Sequence, residues 1–299
     1  MTGLRVSVVV PTTGRRDALA RCLDALMGGT VLPAEILVVD QSGDQAIARV
    51  LDERREAFPA LRHLVEELRG LSAARNVGAR AASGDVLAFT DDDCVPDTRW
   101  IEALTRAFEA GEQLSAVTGP MLPLGPGSVD AVSVSSRTGA ERRDFRGRAL
   151  PWEIGTGGNT AIRQSCLAHL KGYDERLGVG TAAGAGEDLD LFRRLLAADG
   201  CASYDPNVMC RHERKTRAER RERRSSYGIG AGAALGRWLR DGDPWAIVAL
   251  VRWVTLRARL ALASARTRET AVTDELRVLA GTARGLAYGV RLPPWGRQR

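Results

Sequence analysis

Short apolar runs alternate with stretches of helical spacing through residues 1–120. Leu4–Val10 is a valine-rich run stopped by Pro11, and Glu35–Val39 is a second run that ends on Asp40. Runs of this length without polar alternation read as strands buried on both faces of a parallel sheet. Leu61–Val65, Val86–Phe89 and Leu114–Val117 read the same way. Between the first two, Ala18, Leu19, Cys22, Leu23 and Leu26 recur at helical spacing within Arg15–Met27. Asp44–Ala57, a stretch from an N-capping Ser72 to Ala82, and Trp100–Ala110 carry further helices. Strands alternating with helices imply right-handed crossovers and an α/β fold whose mainly parallel sheet is flanked by helices.

The pattern then changes. Pro120–Arg148 is rich in Gly, Pro, Ser and Arg and has little periodicity. It reads as a long mobile loop of the kind that closes over a substrate. Helical spacing resumes at Gln164–Leu170 and Asp188–Ala198, and Ser203–Cys210 is strand-like. From Arg217 the chain reads helical and basic to its end. These shifts divide it into a unit over 1–215, with halves at 1–119 and 120–215, and a basic, Trp-containing helical extension over 216–299.

Charge narrows the partners. The 299 residues carry a net charge of +6, almost all of it from arginine, since Lys171 and Lys215 are the only lysines. Such an excess fits phosphate, nucleic acid or a lipid surface. Arg211–Arg224 holds eight arginine or lysine residues against three glutamates. Beyond it, Trp238, Trp245 and Trp253 are interleaved with Arg237, Arg240, Arg252, Arg257 and Arg259. That pattern suits an interfacial membrane helix and equally a helix packed on the preceding domain. The stacking platforms and motifs of nucleic-acid binders are absent, so no nucleic-acid partner is expected. The five cysteines, Cys22, Cys94, Cys166, Cys201 and Cys210, are scattered and form no CxxC pair. They point away from a disulfide framework or zinc site and toward a reducing cytoplasm. The N-terminal run lacks the features of a signal peptide. The apolar stretch Trp245–Val251 falls far short of the roughly 20 residues needed to span a bilayer. A cytoplasmic location, with contact at the inner face of the membrane, is the expectation.

Candidate chemistry sits at the carboxyl ends of the strands, where open α/β sheets bind ligands. Asp40 ends the second run, and Asp91, Asp92 and Asp93 follow the fourth. Three adjacent carboxylates repel one another unless a cation neutralises them. Oxygen ligands on such a turn suit Mg2+ or Mn2+ bound together with substrate phosphates. The first turn, Pro11-Thr12-Thr13-Gly14-Arg15, contains no GxGxxG, and the chain contains neither a P-loop nor a GxSxG elbow. Dinucleotide, P-loop and common serine-hydrolase chemistries are thereby excluded.

The chain resembles the family 2 glycosyltransferases, whose catalytic domain has the GT-A fold. The likeness rests on Val6–Thr12, Val38–Ser42, Gly70–Gly78, Ser83–Asp85, Phe89–Asp93, Gly157–Asn159 and Gly186–Asp188, in this order, and covers residues 4–212. One departure is Gln41, where the family often has an acidic residue or Asn. The resemblance implies an inverting, metal-dependent transfer of a sugar from a nucleotide-sugar donor to an acceptor hydroxyl on a glycan, a lipid-linked glycan or a small molecule. It implies that Pro11, Thr12 and Arg15 lie near the diphosphate and that Asp40 meets the base or ribose. Arg75 would hold the nucleotide, and Asn76 would brace the site. Asp91 and Asp92 would face the donor, and Asp93, Asp91 and His212 would hold Mg2+ or Mn2+. Gly157, Gly158 and Asn159 would line the acceptor side. Asp188 would be the catalytic base, with Glu187 next to it. His63 and His169 read as structural. A sugar nucleotidyltransferase and a non-catalytic nucleotide-sugar or lipid-binding relative are the alternatives. The first typically opens on a Gly-rich, Lys-containing loop that this chain lacks, and intact Asp93 and Asp188 argue against the second.

Overall fold

The computed structural model describes residues 3–67, 70–127, 136–266 and 271–294. The chain opens with β1 (Val6–Thr12), α1 (Arg16–Met27), β2 (Glu35–Asp40), α2 (Gln45–Arg55), β3 (Leu61–Val65), α3 (Leu71–Ala81) and β4 (Val86–Thr90). Next come β5 (Cys94–Pro96), α4 (Trp100–Ala110), β6 (Leu114–Thr118), β7 (Met121–Pro123), β8 (Arg143–Phe145), α5 (Pro151–Ile154), β9 (Asn159–Arg163) and α6 (Gln164–His169). The last elements are α7 (Glu187–Ala197), β10 (Cys201–Tyr204), β11 (Cys210–His212), α8 (Arg217–Arg240), α9 (Trp245–Arg266) and α10 (Ala271–Gly289).

The main sheet has the order β3-β2-β1-β4-β9-β6-β10-β8, and β5-β11-β7 form a small sheet of their own. β1 is parallel to both β2 and β4, so the chain reverses its travel across the sheet at β1. That reversal opens a crevice at the strand ends, where Thr12, Asp40 and Thr90 lie. The apolar runs are strands because both faces are covered. Val8 and Val10 pack with Leu19, Leu23 and Trp100 on one face. Val9, Leu37 and Phe89 join Tyr173 and Phe192 on the other.

Several expectations change. β9 enters antiparallel between β4 and β6, making the sheet mixed. Its sequence, Asn-Thr-Ala-Ile-Arg, is too short and polar-ended to announce a strand. The stretch 120–148 is not wholly a loop. β7 pairs with β11, Met121 bridges to Arg137, and β8 pairs with β10. Three-residue edge strands carry no readable period, and the middle of that stretch, 128–135, lies outside the described residues. Ser203–Cys210 divides into β10 and β11. Ser72 does not cap α3: Gly70, at φ +100, is the N-cap, and the Ser72 hydroxyl donates to the Leu177 carbonyl at 2.7 Å.

The C-terminal helices pack on the sheet domain. Gly228, Gly232 and Gly236 of α8 interleave with Gly281, Gly285 and Gly289 of α10. A Cβ on Gly232 would lie 2.1 Å from the Thr282 carbonyl oxygen, and one on Gly285 would lie 2.0 Å from that of Ile229. Only glycine permits backbones this close. α8 is also tied to α7 through Asp190, which takes hydrogen bonds from Arg237, from Arg194 at 2.8 Å and from Trp238 at 3.0 Å. Burial would raise the Asp190 carboxyl, but Arg194 and Arg237 outweigh it and hold the group at about 2. α9 has two faces. Ala246, Ala249 and Trp253 are buried, whereas Ile247, Val251 and Leu262 are 59%, 59% and 66% exposed. Among the described residues no helix is long and apolar enough to cross a membrane.

Candidate active site

A cavity of about 700 Å3 lies between the ends of β4 and β7, the start of α7 and the faces of α8 and α9. Asp91, Arg75, Gly157, Gly158, Glu187, Asp188 and His212 all line it, although they come from well-separated parts of the sequence. What unites them is Arg75. Its guanidinium is 1% exposed and bridges two carboxylates, with Nη2 3.0 Å from Asp91 and Nη1 3.1 Å from Glu187. The ring of Tyr173 supports it, with the guanidinium 5.4 Å from the ring centroid. The glycines are needed here: a Cβ on Gly157 would meet Arg75 at 2.8 Å, and one on Gly158 would meet Asp91 at 2.7 Å.

The three carboxylates after β4 have separate environments. Asp91 is partly exposed to the cavity. Asp92 is fully buried, taking the Thr12 hydroxyl at 2.7 Å and the Arg15 guanidinium. Burial pushes its carboxyl up to about 6, against Arg15 and Thr12. Asp93 is paired with Lys215 at 2.8 Å and with Arg15, and it lies 3.5 Å from His212 Nε2. Burial would raise Asp93, but His212, Arg15 and Lys215 hold it well below the usual carboxylate range.

His212 Nδ1 lies 2.6 Å from the Glu213 carbonyl. A carbonyl only accepts, so Nδ1 carries the proton and the Nε2 lone pair points toward Asp93. Burial lowers the imidazole below its ordinary value, against the pull of Asp93. Asp93, Cys94 and His212 bring potential ligand atoms within 4.8 Å of one another. The Asp93 oxygen and His212 nitrogen fit Mg2+ or Mn2+, whereas Asp91 stands on the cavity wall outside this group.

On the opposite side, Gly186 begins α7 with φ +95 and sets Glu187 and Asp188 in the first turn. Glu187 is buried against Arg75, and burial together with Asp188 pushes its carboxyl up to about 7. Asp188 is half-buried, lines the cavity, and accepts from the Gly157 amide at 3.2 Å. Of this acidic pair, only Asp188 has a carboxylate without a salt-bridge partner among the described residues and open to the cavity.

Other assigned residues serve different ends. Arg75 uses both terminal nitrogens on protein carboxylates rather than standing free for a nucleotide. Asn76 donates to the Tyr173 carbonyl and to Glu175 and accepts from the Tyr173 amide, so it is a brace with no polar group left for a donor. Asn159 is fully buried. It donates to the Pro120 and Val208 carbonyls and accepts from Trp100, and it cannot reach an acceptor. Asp92 likewise faces the protein interior. Pro11 is buried in β1. Asp40 is 1% exposed and engaged by Ser42, with His63 Nε2 3.2 Å away, so His63 belongs to this corner rather than to the core. Lys215 was missed. Its one signal is rarity, as one of two lysines in an arginine-rich chain.

The model of a family described as Glycosyl transferase family 2 matches residues 7–170. The chain is 26% identical over 186 residues to the glucosyl-dolichyl phosphate glucuronosyltransferase of Haloferax volcanii, covering 58% of each chain. It is 32% identical over 142 residues to glycosyltransferase AglE of the same organism, covering 46% of this chain and 44% of that one. Over 310 residues it is 26% identical to the pre-mycofactocin glycosyltransferase of Mycobacterium tuberculosis, covering 94% of this chain and 62% of that one. The chain thus spans about half the length of the first two relatives. Among solved structures, the mannosyltransferase PcManGT from Pyrobaculum calidifontis, in complex with GDP-Man and Mn2+, superposes with a TM-score of 0.65 at 20% identity. That match covers 96% of this chain and 88% of PcManGT. TarS 1–349 of S. aureus superposes with a TM-score of 0.56 at 16% identity, covering 94% and 90%. At these identities the likeness establishes the fold, an α/β GT-A fold with C-terminal helices.

Proposed function

The chain belongs to glycosyl transferase family 2, and from that premise we propose that it is an inverting, metal-dependent glycosyltransferase that moves a sugar from a nucleotide-sugar donor to an acceptor hydroxyl. The observation that carries this reading is the Arg75 bridge. It sets Asp91, at the donor end of the sheet, and Glu187, at the head of α7, on one cavity with Asp188. We divide the chain at 215/216, where the Thr216 capping box opens α8.

In this reading Asp188 takes the proton of the acceptor hydroxyl as its oxygen bonds to the anomeric carbon. The bond from that carbon to the diphosphate breaks, and the nucleoside diphosphate leaves with the electron pair. A single base and in-line attack give inversion. Asp93, His212 and Asp91 would hold Mg2+ or Mn2+, which supplies neutralisation of the leaving diphosphate. Arg15 and Lys215 bring further positive charge to the same corner. The Gly157 amide fixes the Asp188 carboxylate, and Glu187 orients Arg75 without taking part in proton transfer. The proposed setting is the cytoplasm at the inner face of a membrane. The exposed apolar face of α9, flanked by Arg252 and Arg259, supports it.

The test is release of nucleoside diphosphate from a panel of UDP- and GDP-sugars with Mn2+. The anomeric configuration of the product is read by NMR. Asp188→Asn keeps the shape and removes the proton acceptor, and turnover should fall at least about a hundredfold with nucleotide binding intact. Wild-type turnover in Asp188→Asn, or a product of retained configuration, refutes the assignment.

A further inference from the structure

One wall of the cavity concentrates positive charge that the transfer chemistry does not use. Arg137 bridges to Met121. Arg224 lies near the start of α8, and Arg257 lies in the middle of α9. All three line the cavity with Trp152, Tyr227 and Trp253. Their counter-charge is small. Glu275 is paired with Arg224 and lies 3.4 Å from Arg257. Among the described residues no carboxylate forms a salt bridge with Arg137. Among the described residues Glu275 is the one carboxylate in salt-bridge contact with the three guanidinium groups, while Asp274 acts on Arg224, and Asp188 and Glu153 on Arg137, from farther away.

These groups are also held in place. The Arg257 guanidinium lies 4.0 Å from the Trp253 ring centroid. Trp253 is anchored by a hydrogen bond from its indole nitrogen to Thr282 at 3.0 Å and by an edge contact with Trp152 at 5.2 Å. The Nε atoms of Arg224 and Arg257 are buried and lack a hydrogen-bond partner among the described residues. Burying like charges with unmet donors is unfavourable unless an anion joins them. Burial, Arg224 and Arg137 together push the Arg257 guanidinium down to about 10, as expected when like charges crowd one another. The cluster is also in electrostatic reach of the base, since Asp188 is the leading charge acting on Arg137.

We propose that Arg137, Arg224 and Arg257 form an anion subsite beside Asp188, and that the acceptor carries a phosphate group that docks there. This rests on the transferase reading, which places the acceptor hydroxyl at Asp188. Guanidinium groups crowded on one cavity wall attract a phosphate, and planar guanidinium forks suit its oxygens. The aromatic side chains beside the cluster offer an apolar wall to whatever carries the phosphate.

The experiment is calorimetric titration of the full chain, first saturated with Mn2+ and whichever of UDP or GDP it binds. The titrants are inorganic phosphate, octyl phosphate and neutral octyl glucoside. Both phosphates should bind the nucleotide-loaded protein, and octyl glucoside should not. Tighter binding of octyl phosphate than of inorganic phosphate assigns a lipid-type acceptor, and equal binding assigns a soluble phosphorylated one. Arg137→Gln, which breaks no ion pair with a described residue, should weaken phosphate binding at least about tenfold while nucleotide affinity stays within about twofold. Arg257→Lys keeps the charge opposite Glu275, so the fold is retained, and should weaken phosphate binding by a similar factor through loss of the fork. The proposal is overturned if both variants bind phosphate like the wild type, which leaves the cluster as a counter-charge to Glu275. It is also overturned if nucleotide and phosphate exclude each other, which gives the arginines to the donor. Arginine-dependent phosphate binding with no nucleotide binding under any metal condition overturns the acceptor assignment through failure of the transferase reading itself.

Discussion

Gly230→Ala separates the donor side of the cavity from the base. Gly230 lies on α8 against the loop that leads into Glu187 and Asp188. A Cβ there would sit 2.3 Å from the Ala185 carbonyl carbon and 2.7 Å from the Ala185 Cβ. The reciprocal contact is as tight, since a Cβ on Gly186 would meet the Gly230 carbonyl oxygen at 2.3 Å. Ordinary contact begins near 3.4 Å, so a methyl at Gly230 demands about 1 Å of separation. α8 is poorly placed to yield it. Its glycines interlock with α10. The loop moves instead, carrying the first turn of α7. A displacement of about 1 Å at a reacting group costs on the order of a hundredfold in rate. The overpacking itself costs about 1–3 kcal/mol of stability, which a domain of this size tolerates. We expect turnover, measured as nucleoside diphosphate release well below the melting temperature, to fall about a hundredfold. Affinity for nucleotide plus Mn2+ should stay within about twofold, because the atoms nearest a Cβ at Gly230 all belong to Ala185 and none to Asp91, Asp93 or His212. Unchanged turnover with only a lower melting temperature would show that α8 is scaffolding. A parallel loss of nucleotide affinity would show that the two sides move together.

Three further outcomes follow from the same contacts. Glu187 titrates near 7 when folded, above its unfolded value near 4.5, so the protonated group's contribution to stability is complete below about pH 4 and is lost as pH rises toward 7. Relative to Glu187→Gln, the wild type should therefore lose on the order of 3 kcal/mol between pH 5 and pH 8 in urea denaturation, and a flat difference would refute the burial argument. Arg237→Ala leaves Asp190 buried with fewer partners and should cost about 3–5 kcal/mol; a loss under about 1 kcal/mol would show that Arg194 and Trp238 suffice. Ile247→Glu with Val251→Glu, on the exposed face of α9, should abolish co-sedimentation with anionic phospholipid vesicles while leaving nucleotide binding intact. Equal sedimentation of variant and wild type removes that face from membrane contact.

The sequence is most legible where one element carries its own signal. Leu61–Val65 and Trp100–Ala110 have the bounds that their spacing predicts, because a short buried run and a strong apolar stripe need no partner to be recognised. β9 is invisible because it is a strand only by virtue of the slot between β4 and β6. The glycines of α8 look like turn formers, and their role needs the facing glycines of α10, some fifty positions later, to be intelligible. In the site, Asp91 and Asp188 follow from motifs. Arg224 and Arg257 do not, since within a basic helix nothing local distinguishes a guanidinium aimed into a cavity from one in water. Asn159 and Asp92 show the converse. They stand in motifs that mark the site, yet their own hydrogen bonds are all to the protein.

The acidic turn after β4 shows why a motif and a site are different objects. Three successive carboxylates survive together because each meets its own cation: Arg75 at Asp91, Arg15 at Asp92, and Lys215 with Arg15 at Asp93. Those cations come from three places, the segment after β1, helix α3 and the approach to α8, so the turn can form only after distant parts of the chain have closed around it. The division of labour follows from geometry. Asp92 turns inward, and its carboxylate bonds to Thr12 and Arg15 lock the first turn to the fourth strand. Asp91 faces the cavity and Asp93 lies buried beside His212, each with one oxygen engaged by a guanidinium or ammonium and one free of such pairing. The cations beside Asp93 hold its carboxylate ionised, a state that suits a cation ligand. The same reasoning applies across the cavity. Arg75 engages Glu187 and leaves Asp188, one residue on, as the carboxylate of that turn without a salt-bridge partner among the described residues.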